Sequence, residues 1–499
     1  MTTHVELRRG AYHDSVSLMQ VSRAVAATAG VTAAQVAMAT ELNVDVLRGM
    51  GFDVPAEAGP NDLVVALRTQ TPDAVDTGLA AVADALAGLR ATRDSGGGDD
   101  TVAPRTLGSA AAREGATLAV ISVPGQHAVT EAFDAIASGL SVMLFSDNVS
   151  VDDEVRLKDA AAAADLLVMG PDCGTAHIGG VALGFANVVR AGSVGVVAAS
   201  GTGAQQVMCL LDAAGVGISH VLGVGGRDLK AAVGGRSTRQ ALRALADDPA
   251  TETVLLVSKP PDPDVLTALE ADAGKLGLRV HWAVLGEGRP DLTASVEAFL
   301  EAQGHPVPPW PETIAPDDDD SDLERGSALR GLFCGGTLAD EAMTVAEAEL
   351  GGIRSNIAHD PALALGPDLR DEGHVVLDFG DDGLTRGRAH PMIDPTLRME
   401  RIAAEAQDPT CGVLLLDLVL GHGAHPEPAV ELADAVRSAR ATASAAGRAL
   451  PVVVSLTGTD ADPQGRSRCA EVLAAAGASV HLSNAAATRH ALTLLRSAR

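Results

Sequence analysis

Two short glycine-threonine turns have the clearest capacity for chemistry, Ser200-Gly201-Thr202-Gly203 and Cys334-Gly335-Gly336-Thr337. Each follows an apolar run and opens a helical pattern. Glycine lets a backbone approach a ligand closely. A helix N-terminus adds unpaired N–H groups and the positive end of the helix dipole. Such a turn suits phosphate or another anion, and two in corresponding places could clamp one phosphate between them. Each is also consistent with a tight turn capped by Ser or Thr.

Further candidates stand at the ends of apolar runs. GHGAHPEPA puts His422 and His425 just past GVLLLDLVL. A histidine there can be a nucleophile or general base, can orient a carboxylate, or can pack in a Pro-bounded turn. Lys259 ends TVLLVSK and is one of only four lysines, with Lys158, Lys230 and Lys275. It fits an anion contact and equally a solvated strand end. Arg388 and His390 follow Asp378 of LDFGDDG in one loop. Arginine suits bidentate recognition of carboxylate or phosphate, and local ion pairs on a surface loop are the other reading. Asn148 in LFSDN and Cys173 in GPDCGT complete the substrate-binding candidates. Cys173 has no adjacent histidine and reads equally as a small buried residue.

These residues need a scaffold, and 499 residues suggest three or four domains. Hydrophobic residues are 46% and charged residues 20%, a globular composition. Aromatics at 2% argue against base-stacking platforms. A net charge of −28 repels nucleic-acid backbones and anionic membrane surfaces. The five cysteines form no C-x-x-C pair, so zinc, iron–sulfur and disulfide frameworks have no signature and no metal is expected. MTTHVELRRG has no apolar signal core and no run of 18 apolar residues occurs, so a cytoplasmic location is expected.

Twelve short apolar runs, each ending in a turn residue and most followed by a helical pattern, predict an α/β fold of doubly wound parallel sheets. Residues 1–91 read as a small α+β domain: strand VELRRGAY, a helix from Ser15 capped by Asp14 or Ser15, strands AAQVAMAT and NDLVVALRT, and a helix from Pro72. TRDSGGGDD is a linker. Residues 104–190 hold three strands of a Rossmann-like unit. GVVAASGTGAQQVM and GLFCGGTLADEAM are an internal repeat, which predicts two flavodoxin-like domains, 191–303 and 329–499. They are expected to dock through a large apolar interface. Between them 304–328, with Asp317 to Asp320, reads as a solvated Pro/Asp-rich linker. The glycine turns lack the dinucleotide fingerprint, which disfavours a dehydrogenase.

SVGVVAASGTGAQQV with GVGISHVLGVGGRDL resembles the α-subunit ligase domain of succinyl-CoA synthetase, where a Ser-Gly-Thr turn opens the helix that stabilises a phosphohistidine. ISVPGQHA, LFSDNV and MGPDCGT resemble its CoA-binding domain, and CGGTLADEAM, VVLDFG and PVVVSLTG its β-subunit ligase domain. The order of these segments, with RRGAYHDSVSLMQVSR before them, resembles the FdrA family of acyl-CoA-synthetase-like proteins over essentially the whole chain. No segment matches an ATP-grasp domain, APRTLGSAAAREGA has no G-x-G-x-x-G, and GEGRPDLTASVEAF has no histidine at the phosphohistidine position. The resemblance implies acyl or carbamoyl transfer through phosphate or an acyl or carbamoyl phosphate. It implies a subunit of an oxamate carbamoyltransferase in allantoin degradation, acting on a small molecule with partner subunits in an oligomer. CoA is left open as a ligand. The alternatives are a non-catalytic CoA- or phosphate-binding scaffold, and an ADP-forming acyl-CoA ligase completed by a separate ATP-grasp subunit.

Overall fold

The computed structural model describes residues 2–496 except Tyr12, Asp14, 41–42, 45–46, Gly49, 95–103, Arg105, 316–322 and 386–388. The predicted cap Asp14, the candidate Arg388, the acidic run Asp317 to Asp320 and most of TRDSGGGDD therefore lie outside the described residues. The chain forms two compact units, one of Met1–Pro104 and one of Arg105–Thr385 with His390–Arg499.

The first unit has β1 (Thr2–Arg8), α1 (Ser15–Ala26), β2 (Val31–Met38), β3 (Leu63–Thr69) and α2 (Asp73–Asp94). Its sheet is antiparallel in the order β1-β3-β2. Central β3 is apolar on both faces. Leu63, Val65 and Leu67 join Leu18, Val21, Val25 and Val82, while Val64 and Ala66 join Leu47, Phe52 and Val54. The period of two in a strand divides the residues this way.

The second unit carries three sheets. A short parallel sheet holds β4 (Leu118–Ile121), β5 (Ser141–Leu144) and β6 (Val168–Met169), with α3 (Leu107–Glu114), α4 (Gly125–Ala137) and α5 (Val151–Ala163). The next two strands, β7 (Thr175–Ile178) and β8 (Val181–Gly184), leave it. They form a hairpin on the edge of the middle sheet, β12-β11-β9-β10-β7-β8. The predicted boundary at 190 therefore cuts through this sheet. Gly179 and Gly180, with φ of 56° and 88°, supply the two positive-φ residues of a tight hairpin turn.

In the middle sheet β9 (Ala191–Ala199), β10 (Ile218–Gly223), β11 (Thr253–Ser258) and β12 (Val280–Val284) run parallel. Val196 and Ala198 of β9 pack with α6 (Gly201–Ala213) and α9 (Leu292–Ala302). Val197 and Ala199 pack with α7 (Arg236–Asp247) and α8 (Pro263–Leu276) on the other face. The last sheet runs β13 (Glu312–Thr313), β19 (Ala478–His481), β18 (Val452–Thr457), β17 (Cys411–Val419), β14 (Ala328–Phe333), β16 (Val375–Asp378), β15 (Arg354–Ser355), all parallel except β13. Its helices are α10 (Gly336–Leu350), α11 (Thr396–Glu405), α12 (Pro428–Ala445), α13 (Arg466–Ala474) and α14 (Asn484–Arg496). The doubly wound class is as expected.

Two expectations change. Residues 310–313 of the connection 304–328 are pinned, not merely solvated: β13 extends the last sheet, Trp310 Nε1 donates to Glu297 at 2.7 Å, and Leu482 N donates to Pro311 O at 2.9 Å. The contact between the two ligase-like sheets is strongly polar, not simply apolar. Gln206 of α6 bonds Thr457 and Leu482 O, Thr293 meets Ser483 at 2.7 Å, and Glu341 of α10 takes the Leu292 N–H and the Asn484 amide. Buried polar groups need such partners, and here they come from the facing domain. No helix among the described residues is long and apolar enough to cross a membrane.

Candidate functional site

Both glycine-threonine turns sit where a parallel strand ends and a helix begins. After β9, Ser200 caps α6 by accepting the Gly203 N–H at 2.9 Å. After β14, α10 starts from Gly335, which has no side chain to cap it. The two helix ends touch. Ser200 Oγ and Thr337 Oγ1 are 2.6 Å apart and both residues are buried. A Cβ on Gly335 would stand 2.9 Å from Thr202 Oγ1, and one on Gly203 would stand 3.0 Å from Thr337 Cγ2. Close approach of the two helices requires glycine at 335, and at 203 the Ser200 hydroxyl, 2.5 Å from a Cβ, requires it as well.

The contact corrects how a phosphate could be clamped. No gap remains between Ser200 and Thr337, so an anion has to lie beside that bond and not within it. The Gly335 amide is also taken: the buried Asp417 carboxylate accepts from Cys334 N and Gly335 N, both at 2.8 Å, and is held by Arg398 at 2.7 Å. The first amides of an α-helix have no partner inside it. Those of Gly201, Thr202, Gly336 and Thr337 have no acceptor among the described residues. Gly201, Thr202 and Gly336 are half-buried, at the open side of the contact.

A charged recess adjoins that side. A Cβ on Gly336 would meet Asp378 Oδ2 at 2.4 Å and Lys259 Nζ at 3.0 Å. Lys259 Nζ has no hydrogen bond or ion pair among the described residues. Asp378, at the end of β16, accepts the Gly380 N–H at 2.8 Å, and Asn356 fixes its backbone through two hydrogen bonds. Burial pushes its carboxyl up to about 7, against the pull of Lys259 and the Gly380 N–H. Asp172, which follows the cis Gly170–Pro171 bond, keeps solvent access but is ringed by protein. Desolvation first, then Asp382 and Asp147, raise it to about 7, opposed by Lys259 and Arg227. Its solvent access makes that titration a property of the recess and not a source of fold stability.

His390 joins the same recess. Its Nε2 and Asp378 Oδ1 both crowd Gly380, at 3.0 and 3.1 Å from where a Cβ would be. Nδ1 accepts the Met392 N–H at 3.2 Å, so the ring proton is assigned to Nε2. Burial lowers its pKa to about 4, which keeps the ring neutral at ordinary pH.

The structure therefore gathers Gly336, Lys259, Asp378 and His390 beside the two helix ends. It does not gather the rest. His425 is buried, accepts the Glu427 N–H at Nδ1 and faces Glu431 with Nε2 at 3.1 Å, so both nitrogens hold the turn. His422 is exposed, and its backbone bridges to Ala186. Cys173 is corrected from a substrate contact to a core residue: its Sγ lies 3.6 Å from Thr175 O, and burial pushes the thiol up to about 12. Asn148 is an exposed turn residue with φ of 54°. Its neighbour Asp147 is the one that acts on Asp172 and His390. Asp172, like Cys173, stands at the strand end GPDCGT that the sequence marks, whereas Asp147 and Asp417 were missed as site residues. The signal available for Asp417 was one aspartate inside the apolar run GVLLLDLVL.

Comparison with known proteins agrees with this division of the chain. Residues 1–103 match a family described as AllF, heavy metal-associated domain. That segment contains no cysteine, and among the described residues no group of three or more His, Cys, Asp or Glu could hold a metal ion. Residues 332–494 match the CoA-ligase family. The Archaeoglobus fulgidus succinate–CoA ligase [ADP-forming] subunit alpha 2 is 30% identical over 151 residues, 29% of this chain and 50% of that protein. The chain thus spans about half the length of that relative. A Ca. Korarchaeum cryptofilum acetyl-coenzyme A synthetase structure aligns over 76% of this chain and 82% of its own, at 15% identity and a TM-score of 0.29, which discriminates little among α/β folds. The uncharacterized Escherichia coli (strain K12) protein YahF is 38% identical over 496 residues, 96% of this chain and 95% of YahF. With a CoA-ligase domain at its end and an AllF-type domain at its start, the chain belongs to the family of YahF.

Proposed function

We propose that this chain is a phosphate-dependent acyl- or carbamoyl-transferring subunit, with the phosphate at the open side of the α6 and α10 N-termini. One observation carries the reading: two helix ends from different sheets meet with their first amides unpaired and Lys259 beside them. Phosphate oxygens would accept from the amides of Gly201, Thr202, Gly336 and Thr337, and Lys259 would balance the charge. Held there, a phosphate oxygen is placed to attack a carbonyl carbon presented from the Asp172–His390 side. Asp378, which titrates near neutrality, can hold or move a proton next to it, and neutral His390 can donate from Nε2.

The resemblance to the FdrA family supports a finer version. There the group transferred is carbamoyl, the reaction is phosphorolysis of oxalurate to oxamate and carbamoyl phosphate in allantoin breakdown, and partner subunits complete the enzyme. The names of the succinate–CoA ligase relatives support partner subunits too, since those chains are alpha subunits. The CoA-ligase match favours a second reading, acyl-CoA chemistry completed by a separate ATP-grasp subunit. The N-terminus of α4 has no side-chain cap and would hold the phosphates of CoA, whose thiol carries the acyl group when bound.

Calorimetric titration of the full chain with phosphate, carbamoyl phosphate and CoA tests the readings, with Gly336→Asp as the control. Binding of phosphate or carbamoyl phosphate that disappears in the variant supports phosphate-dependent transfer. Binding of CoA alone favours the acyl-CoA reading. No binding by any of the three leaves a scaffold and overturns the proposal.

A further inference from the structure

One histidine outside the sequence-derived candidates is joined to α10, the helix that opens at Gly336. His359 follows β15 and is exposed, with its side chain 58% accessible. Its Nε2 lies 2.5 Å from Oδ1 of Asp340, whose side chain is 1% accessible and whose Oδ2 has no hydrogen-bond partner. A buried carboxylate fixing one nitrogen of an exposed imidazole assigns the tautomer: Nε2 carries its proton toward Asp340, and Nδ1 is the nitrogen left to gain or lose one. Nδ1 has no partner among the described residues.

Three connections tie this pair to the recess. Asp340 is four residues along α10 from Gly336, so the two share a helix face, and Gly336 is the residue against which Asp378 and Lys259 lie. Asn356, three residues before His359, bonds the backbone of Asp378 in both directions, at 2.8 and 3.0 Å. Lys230, which acts on His359 electrostatically, donates to the carbonyl of Pro260, the residue after Lys259, at 2.8 Å. The charged groups facing the ring are thus Asp340 and Glu347 from α10 and Lys230 from the loop before α7. Asp360 adjoins it in its own segment.

We propose that His359, positioned by Asp340, is the proton donor of the anion site. This rests on the phosphate reading above. When a phosphate oxygen forms its bond to the carbonyl carbon, the bond from that carbon to nitrogen or sulfur breaks. The leaving atom takes the electron pair and then the proton from Nδ1 of the imidazolium. The acyl phosphate keeps the proton of the attacking hydrogen phosphate, and solvent reprotonates His359. Asp340 favours the imidazolium before the step, by its hydrogen bond and its charge.

The test needs no substrate. Sulfate is the probe, because its charge is constant between about pH 5 and 9, unlike that of phosphate. The full chain with 15N-labelled histidine is titrated with and without sulfate, the His359 ring signals being assigned by their loss in His359→Gln. Calorimetry follows sulfate binding in the same samples. The expected result is that sulfate raises the pKa of His359 by about one unit, as a nearby dianion should. Asp340→Asn lowers that pKa while sulfate still binds. Sulfate binding with His359 unmoved overturns the proton-donor role and leaves the anion site standing. An unmoved His359 pKa in Asp340→Asn also overturns it. Absence of sulfate binding overturns both this role and the phosphate reading.

Discussion

Ser200 Oγ and Thr337 Oγ1 lie 2.6 Å apart although 137 residues separate them in the chain. The bond joins the cap of α6 to the first turn of α10, two helices that belong to different sheets. Ser200 serves α6 as well, through the Gly203 N–H, so one hydroxyl orders both the start of its own helix and the contact with its counterpart. The internal repeat thus becomes a face-to-face pair of helix ends.

This pair should show measurable coupling. Ser200→Ala removes a cap and the contact, and should cost about 1–2 kcal/mol in denaturant unfolding. Thr337→Val removes the contact alone and should cost about 1 kcal/mol. The double variant should lose about 1 kcal/mol less than the sum. Additive losses would mean that the two hydroxyls do not interact in solution.

Gly336 should tolerate no side chain. A Cβ there would meet Asp378 Oδ2 at 2.4 Å and Lys259 Nζ at 3.0 Å, so Gly336→Ala must displace one of the two charged groups. Sulfate affinity measured by calorimetry should fall at least tenfold. Gly274→Ala is the comparison, because that exposed helical glycine has nothing within 4 Å of a new Cβ. It should leave sulfate affinity alone and stabilise the chain by about 0.5–1 kcal/mol.

Asp378 gives a pH signature. Its folded-state pKa of about 7 lies above the unfolded value near 3.8, so the native chain binds more protons between these values, and stability falls as pH rises through that window. Asp378→Asn keeps an oxygen for the Gly380 N–H and removes the titration. Its unfolding free energy should match the parent near pH 4 and exceed it by on the order of 2 kcal/mol above pH 7. A gain that is independent of pH would argue against a raised carboxyl.

Lys158 anchors the three-stranded domain to the middle sheet. Its Nζ is buried 2.7 Å from both Glu154 and Asp228 and 3.0 Å from Val224 O. Lys158→Met leaves buried Asp228 without its cation and Glu154 with Arg227 alone, and should cost about 3–5 kcal/mol. Thermal and denaturant unfolding of the full chain measure it. A loss below about 1 kcal/mol would show that the carboxylates find other partners.

Much of this protein is decided locally and is therefore legible in the sequence. Short apolar runs closed by glycine, aspartate or asparagine and followed by helical patterns read as buried parallel strands, so the class, every strand but β7, β8, β13 and β15, and both glycine-threonine turns follow from residue order. Positions that bond across the fold do not follow from it. Asp417 interrupts an apolar strand, but only the folded chain shows that it takes the amides of Cys334 and Gly335. His425 and Cys173 share the residue types of catalytic groups, but both are buried, His425 against the Glu427 N–H and Glu431 and Cys173 in the core. The hairpin Thr175–Gly184 has its Gly-Gly turn in the sequence, yet which sheet edge it joins depends on where that edge lies. Lys259, Asp378 and His390 come from three separate strand ends and loops; Lys259 and Asp378 meet at Gly336, and Asp378 and His390 at Gly380, because two sheets dock with their helix N-termini together. Residue order sets the hydrophobic period of each element, whereas proximity between distant residues, and the pKa values it produces, exists only after the domains have packed.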